Sequence, residues 1–302
     1  MKHKIAFPFL ILIFTITLCT ITPLHKSYGK EFSEKAPADV LKDPLRSFDE
    51  RKAALNQLIT SPSEELPSLL TNLLQNEKES VVFKRMVSEG IERLNNKDIF
   101  QQLESILFNK KSADSFAREL SLETLTKVLQ QNDKENFYQK LFRLANDSLE
   151  NPNLRPAAIG YLSNVNFMPE KNKTWAQKIA QTRSEPAQVK TAALNYMEVN
   201  QQEELISLLP KVIRNESEDS NFRQIALLKA ERNYTDALLP DLKNILESQR
   251  EPFGVRRVAL IILLQHESKE TVLAILNPIL AKEKTQRMRG ELQDAIAKLK
   301  SE

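Results

Sequence analysis

Apolar and polar positions along this chain recur in a fixed frame: an apolar residue, then Arg or Lys, a small or apolar residue three places on, and apolar residues at four and seven. The frame returns eight times, on Arg51, Lys84, Arg118, Arg155, Lys190, Arg223, Arg256 and Arg289, at spacings of 33, 34, 37, 35, 33, 33 and 33 residues, with Glu50 in place of the leading apolar residue before Arg51. Positions −1, +3, +4 and +7 fall on one side of a helix of period 3.6, so each frame predicts an amphipathic helix with one apolar stripe. Val189, Ala193, Leu194 and Met197 around Lys190 are the clearest example. A near-constant period of this size predicts stacked repeats, each burying its stripe against its neighbours.

Between the anchor helices lie shorter apolar runs, such as "ELPSLLTNLLQ", "QQEELISLLPKVI" and "KETVLAILNPILA", which read as the first helix of each pair. Pro152, Pro186 and Pro252 fall at or beside the first turn of an anchor helix, where a missing N–H costs nothing. Pro210, Pro240 and Pro278 fall inside first helices and are expected to bend them. The first helix around Trp175 is the weakest, and no segment alternates as a strand does. An all-helical chain is expected, with a mobile lead-in over residues 30–43 and a repeat domain over 44–302.

The first 29 residues read as a secretory signal peptide: Lys2 and Lys4 are followed by an apolar run from Ile5 to Ile21, and Ser27-Tyr28-Gly29 puts small residues before a cleavage point. The alternative is an uncleaved membrane anchor. Export to a periplasmic or extracellular space follows from the first reading. It also changes the charge. The full chain has 43 basic and 40 acidic side chains, but loss of Lys2, Lys4 and Lys26 leaves 40 of each. A neutral chain lacks the broad field of a nucleic-acid binder. The same cut removes Cys19 and leaves His266 as the only histidine, so disulfides, thiol catalysis and zinc sites built on Cys or paired His are not expected. Four remaining glycines, Gly90, Gly160, Gly254 and Gly290, make no phosphate-binding loop.

The V-R-x-x-A-L-x-x-L pattern, best kept in "VKTAALNYM" and "VRRVALIIL", together with Pro inside "LLPKV" and "LLPDL", resembles HEAT repeats of the short bacterial kind over about residues 44–300. The resemblance implies a right-handed α-solenoid of about eight helix pairs whose second helices line a concave surface. It also implies that the basic anchors form a structural ladder, bonding to an acid or carbonyl near the turn of their own or the preceding repeat. Asp114, Glu185, Asp219 and Glu251, close before anchors, are the candidate acids. The second and eighth units depart most, with Ser88 and Gln293 at +4.

Residues five and six after each anchor are expected to face the concave surface. There, polar and acidic residues in the first three units give way to Tyr161 and Tyr196 and then to Leu228, Ile261 and Ile262, the candidate binding residues. Tyr is a frequent interface residue because its body is apolar and its tip polar. His266-Glu267 supplies too few ligands for iron, and Trp175 reads as a cover on the convex side of a loose repeat. No catalytic, metal or cofactor residues are assigned. The reading is a non-catalytic exported scaffold or adaptor for a protein or peptide. An envelope enzyme using carboxylates alone and a membrane-tethered assembly factor remain as alternatives.

Overall fold

A computed structural model describes residues 35–301 apart from 95, 112–113, 130–133 and 170–173, and the compact unit it forms starts at Pro37. The expected signal segment lies outside the described residues. The described residues are helical throughout, with no strand. In chain order the helices are α1 (Pro37–Lys42), α2 (Phe48–Thr60), α3 (Leu66–Gln75), α4 (Val81–Leu94), α5 (Lys97–Phe108), α6 (Ser115–Val128), α7 (Lys134–Asn146) and α8 (Leu154–Asn164). They continue with α9 (Trp175–Gln181), α10 (Ala187–Asn200), α11 (Gln202–Arg214), α12 (Ser220–Glu231), α13 (Leu239–Glu247), α14 (Phe253–His266), α15 (Lys269–Lys282) and α16 (Gln286–Ser301).

All eight anchors lie on even-numbered helices. Local chemistry explains where these helices begin. Ser47 accepts from the Glu50 N–H while the Glu50 carboxylate accepts from the Ser47 N–H at 2.8 Å, a reciprocal cap that starts α2. Asp114 and Asp219 cap α6 and α12 through their side chains. Pro186 and Pro252 occupy the N-cap positions of α10 and α14.

Two expectations about the elements are corrected. Residues 30–43 are not wholly an unstructured lead-in: α1 forms within them, and Leu41 is fully buried against α2. Two large, adjacent apolar side chains, Val40 and Leu41, in six residues are too few to show a period, which is why this helix escaped it. Pro240 does not lie inside its helix either. A 3-10 turn at Asp236–Leu238 precedes it, and Pro240 sits in the first turn of α13, where its ring is tolerated. Pro210 and Pro278 do lie inside α11 and α15.

Each odd-numbered helix packs on the even-numbered helix that follows it, and each even-numbered helix packs on the next, from α2 through α16. The stripe supplies the contact: Val189, Ala193, Leu194 and Met197 of α10 are all completely buried. Where the stripe is polar, the neighbour compensates. Ser88, at +4 in α4, meets Thr124 of α6 through a buried 2.6 Å hydroxyl pair. Gly90 lets α4 approach α2 closely, since a methyl there would stand 3.1 Å from Leu55 and Ile59 side-chain carbons.

The longest spacing, 37 residues between Arg118 and Arg155, coincides with a change in packing. α3 and α5 pack directly, whereas α5 and α7 stand further apart. Aromatic rings fill the region from α5 to α10. Phe108 meets Phe137, Phe137 meets Tyr161, and Tyr161 meets Tyr138 at centroid separations of 6.3, 6.2 and 6.0 Å. The chain of rings continues through Phe167, Phe142 and Trp175 and ends at Tyr196, 4.7 Å from the indole. Phe167 reaches this cluster because α8 ends in a left-handed Asn166 (φ 52°), with the Phe167 N–H returning to Leu162 O at 2.9 Å.

Candidate functional site

Seven of the eight basic anchors, all but Arg289, are buried and stitch each helix pair to the next. Arg51 donates to both oxygens of Glu79, Arg118 to both of Glu150 at 2.7 Å, Arg155 to both of Glu185, and Arg223 to both of Glu251 at 2.5 and 2.6 Å. Lys84 pairs with Asp114, Lys190 with Glu218 and Arg256 with Glu283. Five arginines also donate to a carbonyl at the end of their own first helix: Leu41, Leu107, Ala145, Ile213 and Leu246 respectively for Arg51, Arg118, Arg155, Arg223 and Arg256. Thus the carbonyl belongs to the anchor's own repeat, while the acid belongs to the following one, where the resemblance implied the anchor's own or the preceding repeat. Asp219 is corrected as well: the acid opposite Lys190 is Glu218, because the Asp219 carboxylate is occupied with the N–H groups of Asn221 and Phe222. Arg289, expected in the ladder, is exposed, makes no such pair among the described residues and donates to the Glu283 carbonyl.

These carboxylates are committed to the fold. Burial would raise the Glu283 pKa, but hydrogen bonds from Arg256 and Thr285, with the charge of Arg256, outweigh it and hold the group at about 2. Glu150 is lowered for the same reasons: burial opposes, and Arg118 and the Asn151 N–H prevail. A carboxyl depressed from 4.5 to about 2 binds its proton more readily when unfolded. Its stabilisation is therefore complete above pH ~4.5 and lost as pH falls toward ~2, about 3 kcal/mol in all. Glu283→Gln is expected to be less stable than the parent at pH 6 and to lose less further stability on acidification to pH 3, measured by urea denaturation. Parallel losses in the two proteins would refute the assignment.

The expected binding residues separate into two groups. Leu228 and Ile261, at +5, are 45% and 40% exposed, whereas Tyr196 and Ile262, at +6, are fully buried. Tyr161 is half-buried in the ring cluster, and burial together with Tyr138 pushes its hydroxyl up to about 12. Geometry explains the division. Position +6 lies seven residues from the apolar −1 position, only about 20° away around a helix, whereas +5 points nearly opposite the stripe. Residues at +6 therefore enter the seam with the preceding helix pair. The Tyr196 hydroxyl donates to Phe167 O at 2.5 Å, and Lys229 donates to Glu198 at 2.5 Å.

What faces outward on the even-numbered helices is chiefly the set +1, +5 and +9, with +2 buried on α4, α6 and α10, and its charge varies along the row. On α4 and α6 it is ionic, with Arg85–Glu123 and Lys127–Glu123 pairs at 3.6 and 3.0 Å. On α8 and α10 it has no charge: Pro156, Ala157, Gly160 and Asn164, then Thr191, Asn195 and Val199, the last 62% exposed, while Ala192 at +2 is buried. On α12 and α14 it is apolar around Leu228 and Ile261, with charge beside them: Arg232, at +9 at the end of α12, pairs with Glu198 at 2.5 Å, and Arg257, at +1 on α14, pairs with Glu291 at 3.3 Å. The sequence reading places Gly160 on this surface without assigning it to binding, and misses Val199. Gly160 has nothing within 4 Å of where a Cβ would stand, so the strip is open there.

Trp175 is 1% exposed and packs between Phe142 and Tyr196, correcting the expectation of an outer cover. His266 stacks on Tyr234 with ring centroids 4.4 Å apart and faces Glu231 at 3.7 Å, while Tyr234 donates to Glu267. Among the described residues no group of three or more His, Cys, Asp or Glu side chains is arranged to hold a metal ion, and no helix is long and apolar enough to cross a membrane. Compared with known protein families and with curated proteins, the chain matches none.

Proposed function

We propose that this chain is a right-handed α-solenoid of eight HEAT-like helix pairs, exported, that serves without catalysis as a scaffold or adaptor binding a protein or peptide along the outward face of its even-numbered helices. The observation that carries the reading is the row of outward uncharged and apolar residues from α8 to α14, Gly160, Asn195, Val199, Leu228 and Ile261, bordered by the ion pairs Arg85–Glu123, Arg232–Glu198 and Arg257–Glu291. An exposed apolar strip with a polar border is the composition of a protein interface. The solenoid reading is supported by contacts that run from each pair to the next and by rungs that join only successive pairs. Export is supported by the basic and apolar N-terminal segment and by the lack of cysteine after it.

Three charges added to the strip test the reading. Gly160→Glu, Leu228→Glu and Ile261→Glu all fall at exposed or open positions. The combined variant is expected to keep its helical signal and unfolding midpoint, since Gly160→Glu also favours helix. It is expected to lose at least about 2 kcal/mol of affinity, roughly thirtyfold, for the partner recovered with the parent protein. Equal recovery of that partner by the folded variant would remove the strip from the binding site.

A further inference from the structure

A groove of about 570 Å³ lies between α5 and α7, on the layer opposite the strip's helices, at the place where the repeat spacing is longest. Its apolar wall is Phe108 and Leu144. Its cations are Lys110, Lys140 and Arg143, and its acids Glu104, Asp147 and Glu150. The size is that of a small-ligand cleft.

The hydrogen-bonding capacity of the groove is one-sided. Glu150 accepts two bonds from Arg118 and one from the Asn151 N–H, Asp147 accepts from Lys110 and the Leu149 N–H, and Glu104 accepts from Lys140 at 2.5 Å. The acids are thus engaged. Arg143 is exposed and, among the described residues, makes no hydrogen bond or ion pair. Lys110 and Lys140 each use one of three donors on a carboxylate. With Arg118 counted against Glu150, four cations face three acids, so the groove carries one uncompensated positive charge.

We infer that this groove is a second binding site, for a monocarboxylate with an aromatic or branched apolar body. The Arg143 fork receives the carboxylate in two parallel hydrogen bonds, and the body lies on Phe108 and Leu144. A single negative charge matches the net of the groove. A phosphate dianion would bring a second negative charge beside Glu104, Asp147 and Glu150. Such a carboxylate is offered by a small free acid or by the C-terminus of a peptide ending in an apolar residue.

The test is titration of the purified protein with N-acetyl-phenylalanine and, separately, with its uncharged amide, followed through backbone amide shifts of α5 and α7. The acid is expected to give saturable shifts at Phe108 and Leu144 and to bind at least about tenfold more tightly than the amide, the value of one charge-assisted pair. Arg143→Gln, a surface change that leaves the fold intact, is expected to remove that preference while binding of the amide is unchanged. A hexapeptide ending in a free Phe carboxylate separates the sources: tighter binding than the amino acid assigns the site to a chain terminus, and equal binding assigns it to a free acid. Absence of saturable shifts, equal binding of acid and amide, or indifference to Arg143→Gln would overturn the inference.

Discussion

Arg223→Met is expected to lower the unfolding free energy by about 3–5 kcal/mol, because it leaves Glu251 buried as an uncompensated charge. In the parent, the Arg223 and Glu251 side chains are 2% and 4% exposed, and the guanidinium also satisfies the Ile213 carbonyl at 3.0 and 2.7 Å. Removing both partners is a different matter. Arg223→Met with Glu251→Leu replaces a desolvated ion pair by apolar groups and is expected to recover most of the loss, apart from the cost of the Ile213 carbonyl left without its donor. Surface pairs give the contrast: Lys127→Ala disturbs an exposed contact with Glu92 and Glu123 and is expected to cost no more than about 1 kcal/mol. Urea midpoints for the single and double variants decide the matter. A single variant as stable as the parent would mean that the rung contributes nothing to holding adjacent helix pairs together.

Leu194→Asp is the second large effect. Leu194 is completely buried within α10, among Val189, Ala193 and Met197, and the ladder cation one turn away, Lys190, is already engaged with Glu218. An unpaired charge in that seam is expected to cost several kcal/mol, enough to unfold a protein of ordinary stability. Its neighbour Asn195 is exposed, one residue further around the helix. Asn195→Asp is expected to stay within about 0.5 kcal/mol of the parent. Thermal unfolding of the two variants, side by side, tests the assignment of faces. Similar midpoints would place the stripe elsewhere.

Much of this arrangement is legible from spacing alone. The anchor frame identifies every even-numbered helix and its buried stripe, since a 3.6 period sustained over a dozen residues is a strong signal. It also identifies Asp114, Glu185 and Glu251 as ladder acids, although a single sequence does not say which repeat each one serves. Asp219 and Glu218 are adjacent acids that differ only in direction, one facing the helix start and the other the seam, which the sequence does not show. The binding residues were half legible. Treating +5 and +6 as one face joins residues 100° apart, and +6 returns to the stripe by way of −1. Tyr196 and Ile262 are buried for that reason. Trp175 escaped because a seven-residue helix carries too little pattern to orient its rings. The α5/α7 groove has no sequence signature beyond the longer spacing, since it arises from side chains of two helices and the turns after them.

The most direct measurement of the central claim is a cross-linking map made in the native host. A photoreactive amino acid is placed singly at Asn195, Leu228 and Ile261 on the outward strip, and at Lys178 and Lys243 on first helices. A carboxylate-bearing change is not needed, and each position is surface-tolerant or only partly buried. The account predicts the same cross-linked partner from the three strip positions and none of it from Lys178 or Lys243. The partner appearing from the first-helix positions and not from the strip would contradict it.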